Sequence, residues 1–375
     1  MTAMTAAFQS WLGKSHLSES LALDAMRLRS VARALGEIRL VVPFLGLRQE
    51  LRGANKRLSR RLLDSEPRGR SAMVDAFRAA ERELPVEVRT PQGTTVAPLL
   101  DQVRQNGCAD LGPIFTDDQL ADIHAHLGTM PVLLAHDAHI TTEAAPSLDQ
   151  VPAGHNYACY KYLDLWSCPH ILEAAIRDEI IDLAQGYLGC TPTLYSVNAF
   201  WSLPNRTPHK ATQLFHRDLE DARSIVVFTL LTPVAEPHEG AHYYVERSHD
   251  LHSLEQLMRA KGAGRDDIES LFTRDGTIVE SNARRWFDGT ARRFDGPAGH
   301  SFCIDGYGLH RALVPLSRPR LLLWFRFGNF FNEDAYKMRL PPTHRDSAER
   351  LMSRIPSTPR HRYVFRYLEE ALATA

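Results

Sequence analysis

What most constrains this chain is a series of short β-rich runs, punctuated by Gly and Pro, that starts near residue 193 and ends near 327. They are Thr193 to Leu203, Ser224 to Leu231, Ala241 to Val245, His300 to Ile304 and Arg320 to Phe327. Short apolar runs separated by turn residues suit an antiparallel sandwich or barrel. A strand–helix–strand rhythm of about 30 residues is not visible, which argues against a parallel doubly wound sheet. The expected class is mainly β with α additions.

Around this core the chain divides into three zones: a helical extension over 1–95, a β domain over 96–345 and a C-terminal helical tail over 346–375. The extension lacks strand-like alternation, and SESLALDAMRLRSVARALGEI carries apolar residues at helical spacing. The β domain opens on a well-signed helix. Thr116 can cap it while Gln119 reaches back, with Phe115 and Leu120 placed as a hydrophobic staple. A polar insertion over 250–297 begins as a helix and then turns charged and irregular, which suggests either a lid over the site or a disordered excursion. The tail closes on HRYVFRYLEEALATA, read as a helix.

Charge narrows the partners. The chain of 375 residues has a net charge of −1, so no overall field draws it to nucleic acid. Locally, residues 48 to 70 hold eight Arg/Lys against three Asp/Glu. This segment reads either as a solvated helix face or as a surface touching anionic lipid or a phosphorylated substrate. It lacks the interleaved aromatics of a nucleic-acid surface. The five cysteines are scattered without a CxxC pair, as expected of reduced thiols. No basic leader or transmembrane run is visible, so a cytoplasmic location is expected, with peripheral contact at the inner membrane through 40–70.

The chemistry is carried by QLFHRDLEDARSIVVFTLL. His216 and Asp218 stand two apart just before an apolar strand, so an imidazole and a carboxylate project to the same face. A second histidine would complete a two-His, one-carboxylate triad, which leaves open positions on iron(II) for a bidentate 2-oxo acid and for dioxygen. His310, between two strand-like runs, is the best-placed third ligand; His249, His300 and His242 are its rivals. Ten residues on, Arg320 opens the strand RLLLWFRF. Its planar fork suits the distal carboxylate of 2-oxoglutarate, with Arg318 as competitor and Ser317 as an added hydroxyl donor. A second H-x-D, His344-Arg345-Asp346, follows the last strand behind Pro341-Pro342 and reads as a helix cap.

In these blocks the chain resembles the phytanoyl-CoA dioxygenase-like branch of the iron(II)/2-oxoglutarate oxygenases. The matching blocks, over roughly 105 to 330, are GCADLGPIFTDDQLADI, QLFHRDLED, GAHYYVERSHD and LHRALVPLSRPR. The resemblance implies a double-stranded β-helix with iron(II), 2-oxoglutarate and dioxygen, and ascorbate as an optional reductant. It implies hydroxylation of an unactivated C–H bond of a small-molecule, lipid-linked or glycan substrate, with release of succinate and carbon dioxide. Halogenating relatives replace the carboxylate by a small residue, so Asp218 favours hydroxylation. Asn198 and Gln213 sit where relatives place polar co-substrate contacts. Where relatives carry Pro-Gly-Ser-His this chain has Glu246-Arg247-Ser248-His249, so a different turn is expected. Two other readings stay open: a non-catalytic metal-binding β-barrel, and a metal-dependent hydrolase or isomerase.

Overall fold

The computed structural model describes Leu23, Met26, Arg27, Ser30 and Val31, and residues 67–83, 96–136, 139–204, 211–219, 221–273, 276–329 and 345–366. Most of the basic segment, His344 and the end of the C-terminal tail lie outside the described residues.

Eleven strands are described: β1 (Cys108–Pro113), β2 (Val132–His136), β3 (His139–Ala145), β4 (Tyr157–Cys159), β5 (Thr193–Ser202), β6 (Ser224–Leu230), β7 (His242–Tyr244), β8 (Arg292–Phe294), β9 (His300–Asp305), β10 (His310–Ala312) and β11 (Arg320–Gly328). Eight form a large sheet in the order β1-β9-β6-β11-β5-β4-β2-β3, and three form a small sheet in the order β10-β7-β8. Every pairing is antiparallel. From β5 onward the chain passes back and forth between the two sheets. Its HRD segment joins the small sheet, where His216 bridges both His310 and Thr277. This is a double-stranded β-helix.

Residue alternation decides what each face of the large sheet does. On β11, Leu321, Leu323, Phe325 and Phe327 enter the main core with Leu100, Val103, Ile181 and Leu188 of the helices Ala97–Asn106 and Asp178–Leu188. Each such side chain contributes about 1.5–3 kcal/mol by leaving water. The alternate residues of β11 face the small sheet, where Leu322 and Trp324 pack with Phe228, Phe302 and Phe294. Strand β11 thus separates an apolar back from an interior that holds two arginines, Arg320 and Arg326.

Helices from before and after the β domain pack onto the same back. Met73 and Phe77 of the helix Pro67–Glu81 share the core with Val364 and Phe365 from the end of the helix Pro359–Val364. Arg27 ties them together: its Nη1 donates to the Thr191 carbonyl and the Tyr363 hydroxyl, both at 2.9 Å, and Glu81 lies 3.8 Å from its Nη2. The capping box at Thr116 forms as the sequence signs it, with Gln119 N donating to Thr116 Oγ1 and Thr116 N to Gln119 Oε1.

The insertion departs from expectation in two ways. Its last part is not irregular, because Arg292–Phe294 is strand β8, paired with β7. The rest forms the helices Leu251–Ala260, Arg265–Glu269 and Glu280–Phe287. Leu254, Met258, Leu271, Trp286 and Phe287 build a separate core on Phe215, Val245 and Leu309. These three anchors precede or follow the residues of the small sheet that face the interior, so the insertion backs that sheet from outside. It is a buttress, where the sequence suggests a lid.

Candidate metal centre

The two segments that carry the candidate ligands are held side by side by the backbone. His216 N donates to the His310 carbonyl at 3.0 Å, His310 N donates back to His216 at 3.1 Å, and Asp218 N donates to the Gly306 carbonyl at 2.8 Å. The strand period then turns His216, Asp218 and His310 to one side. Their ligand atoms all lie within 4.8 Å of one another. Nε2 of each histidine is 3.9 Å from Asp218 Oδ1, and the two rings are 4.2 Å apart. Among the described residues this is the one group of three His, Cys, Asp or Glu side chains spaced to hold a metal.

The donor set fits a metal ion by its tautomers as well as by its spacing. His216 Nδ1 meets the Leu214 carbonyl and His310 Nδ1 the Gly308 carbonyl, both at 2.9 Å. A carbonyl only accepts, so each Nδ1 carries the proton and each Nε2 keeps its lone pair toward the shared point. Burial, and then the neighbouring His216, hold His310 well below the ordinary histidine range, so it stands neutral and ready to ligate. Behind the carboxylate, Arg326 Nη2 lies 3.0 Å from Asp218 Oδ2, which leaves Oδ1 for the metal. Gly306 makes room for this arrangement: a Cβ there would lie 2.9 Å from Asp218 Oδ2 and 2.8 Å from Ser224 Oγ.

Arg320 lies on the interior face of β11, only 4% exposed. Its Nη1 donates to the Gly240 carbonyl and its Nη2 to Ser202 Oγ at 2.8 Å. It forms no ion pair with a described residue, its Nε meets no acceptor, and burial pulls it down to about 10. A buried guanidinium without a carboxylate is costly unless a bound anion supplies one. Arg318 is the opposite case, an exposed side chain paired with Glu239.

The remaining expected residues divide. Asn198 sits on β5 opposite Trp324, and its side chain donates to Ser196 Oγ inside the barrel. Gln213 is buried at the end of the turn Ala211–Gln213, just ahead of the ligand segment. Ser317 stands exposed on the turn before β11. His300 faces Asp110 at 3.4 Å, and His249 meets the Arg104 carbonyl at 3.3 Å, so both serve the framework. Tyr307 lies between two cations, 4.6 Å from Arg70 and 4.7 Å from Arg217.

The Glu-Arg-Ser-His turn places Arg247 at φ 66°, the left-handed region that glycine adopts without steric cost. Arg247 N donates to the Asn106 carbonyl at 2.7 Å, and buried Ser248 Oγ accepts from Leu309 N at 2.7 Å. That bond fixes the backbone one residue before His310. Ser202 and Arg326 escaped the sequence reading, although Arg326 was legible: six residues after Arg320 on one strand, it must share its face.

No family model matches the chain, and no curated protein matches it. Similar solved structures include the non-haem α-ketoglutarate-dependent epimerase SnoN from nogalamycin biosynthesis, 16% identical over 66% of this chain and 91% of its own, with a TM-score of 0.45. HygX from Streptomyces hygroscopicus, with nickel and 2-oxoglutarate bound, is 13% identical over 63% of this chain and 88% of its own, at 0.41. EctD from S. alaskensis, with 2-oxoglutarate and 5-hydroxyectoine, is 15% identical over 65% and 81%, at 0.42. At these identities and scores the similarities carry no argument about activity.

Proposed function

We propose that this chain is an iron(II)- and 2-oxoglutarate-dependent dioxygenase of the phytanoyl-CoA dioxygenase-like branch, hydroxylating an unactivated C–H bond of a small-molecule, lipid-linked or glycan substrate. His216, Asp218 and His310 would hold the metal, and Arg320 with Ser202 would seat the distal carboxylate of the co-substrate. The observation that carries this reading is Arg320, a buried cation whose described partners are a carbonyl and a hydroxyl, facing the same interior as the triad. A metal-dependent hydrolase, an isomerase or a silent metal-binding barrel has no need of a buried arginine waiting for an anion.

Iron(II), when bound, supplies the centre at which dioxygen is reduced with electrons from the decarboxylating 2-oxo acid. The protein's own work is placement and exclusion. The two Nδ1–carbonyl bonds fix both imidazoles. Arg326 lies against Asp218 Oδ2 and keeps Oδ1 turned toward them. Phe228, Phe294, Phe302, Leu322 and Trp324 pack one end of the interior with apolar surface, so water is excluded beside the reacting groups.

The test is to incubate the protein with iron(II), 2-oxoglutarate and dioxygen and to measure succinate. Wild type should form succinate, slowly without a substrate and faster with one, whereas Arg320→Leu should form little because its co-substrate site is gone. Product analysis must separate oxygen insertion from epimerisation and ring closure, the outcomes for which SnoN and the carbocyclase SnoK are named. Equal succinate formation by wild type and Arg320→Leu would overturn the assignment.

A further inference from the structure

His242 is the first residue of β7 and projects between the two sheets, 3% exposed. Its ring lies 4.9 Å from Phe228 and 5.2 Å from Phe302, and stacks nearly parallel to His310 at 5.8 Å with an interplanar angle of 13°. Neither ring nitrogen meets a hydrogen-bond partner. It is not part of the metal group, which closes on the other three side chains. Two residues earlier on the same segment, the Gly240 carbonyl accepts from Arg320. His242 therefore sits beside the candidate ligand His310, on the same short segment whose Gly240 carbonyl holds Arg320.

An imidazole with two idle nitrogens in an apolar wall is an expensive choice, since a leucine would fill the space without a desolvation cost. An imidazole carries at least one ring N–H in either protonation state, so one nitrogen has a proton to donate. A 2-oxo diacid that reached from the metal to Arg320 would run along the β7 segment that carries this ring. On the interior face of β11, Trp324 Nε1 and Arg320 Nε also meet no acceptor.

We infer that His242 is a positioning residue for the co-substrate: its ring N–H donates to the distal carboxylate of 2-oxoglutarate and forms, with Arg320, a two-point clamp that selects a 2-oxo diacid over a 2-oxo monoacid. This rests on the functional reading above and adds to it a specificity determinant that the triad and the arginine do not supply.

The experiment is anaerobic titration calorimetry of the iron(II)-loaded full chain with 2-oxoglutarate and, separately, with 2-oxobutyrate, which lacks the distal carboxylate. In His242→Leu the dissociation constant for 2-oxoglutarate should rise about tenfold to a hundredfold, the worth of a hydrogen bond to a charged group. That for 2-oxobutyrate should stay unchanged, and His242→Gln, which keeps a donor, should recover part of the loss. Melting curves of the ligand-free variants check the fold, and His242→Leu should melt no lower than wild type because it removes an unpartnered polar group. A wild type that binds 2-oxoglutarate and a His242→Leu that binds it equally well would overturn this inference alone. An equal loss for both 2-oxo acids, or a loss of iron(II) affinity, would overturn it too by placing His242 at the metal. A folded wild type that binds neither acid would overturn the functional reading beneath it.

Discussion

Asp218 is set by two neighbours that do opposite things, and each gives a test. Arg326 holds Oδ2 at 3.0 Å, so it fixes the direction of the carboxylate. Arg326→Leu should keep the fold and weaken iron(II) binding about 10- to 100-fold, the usual cost of losing an outer-shell partner. Gly306 acts by absence. Gly306→Ala would put a methyl 2.9 Å from Asp218 Oδ2, so the carboxylate must swing away and metal affinity should fall while the melting temperature changes little. Metal affinities measured by competition with a chelator check both, and an unchanged affinity in either variant would mean that Asp218 is not held as described.

At the scale of elements, the insertion is a support for the metal centre. Its helices pack through Met258, Trp286 and Phe287 on Phe215 and Leu309, the residues directly before His216 and His310. Met258→Ala, at a fully buried position, should cost about 2–5 kcal/mol and lower the thermal midpoint. Iron(II) affinity should fall with it, since the ligand segments lose their backing; a lid would instead leave metal binding intact. The five β-rich runs were legible because each alternates or stays largely apolar and has a Gly or Pro within two residues of one end. β8 was not: at three residues, Arg292–Phe294, its only core side chain is Phe294, too little pattern to show against a charged background. The insertion's role was illegible for a related reason. Its apolar residues show that it has a core, but the face it covers is decided by the small sheet, assembled from β7, β8, β10 and the His216 segment, far apart in the chain. The ligands were readable because strand geometry links residues two apart, whereas Ser202 meets Arg320 only through the β5–β11 register.

Across the described residues, the large sheet divides chemistry from stability: helices from before and after the β domain cover its back, and the polar interior lies on its front. No helix among the described residues is long and apolar enough to cross a membrane. All five cysteines are free and buried, and burial pushes the Cys108, Cys159 and Cys168 thiols up to about 12. Alkylation of the native protein should therefore stay slow and rise little between pH 7 and pH 9, where an exposed thiol would ionise; denaturant should release all five. Fast labelling of the native protein would contradict this burial. The central claim, that the triad and Arg320 serve one bound pair of iron(II) and 2-oxoglutarate, is tested most directly by anaerobic titration of the full chain under visible absorption. Adding 2-oxoglutarate to the iron(II)-loaded wild type should raise the weak charge-transfer band of a chelated 2-oxo acid. That band should be missing in His310→Ala and should need far more co-substrate in Arg320→Leu. A folded wild type that binds iron(II) and shows no band at saturating 2-oxoglutarate would contradict it.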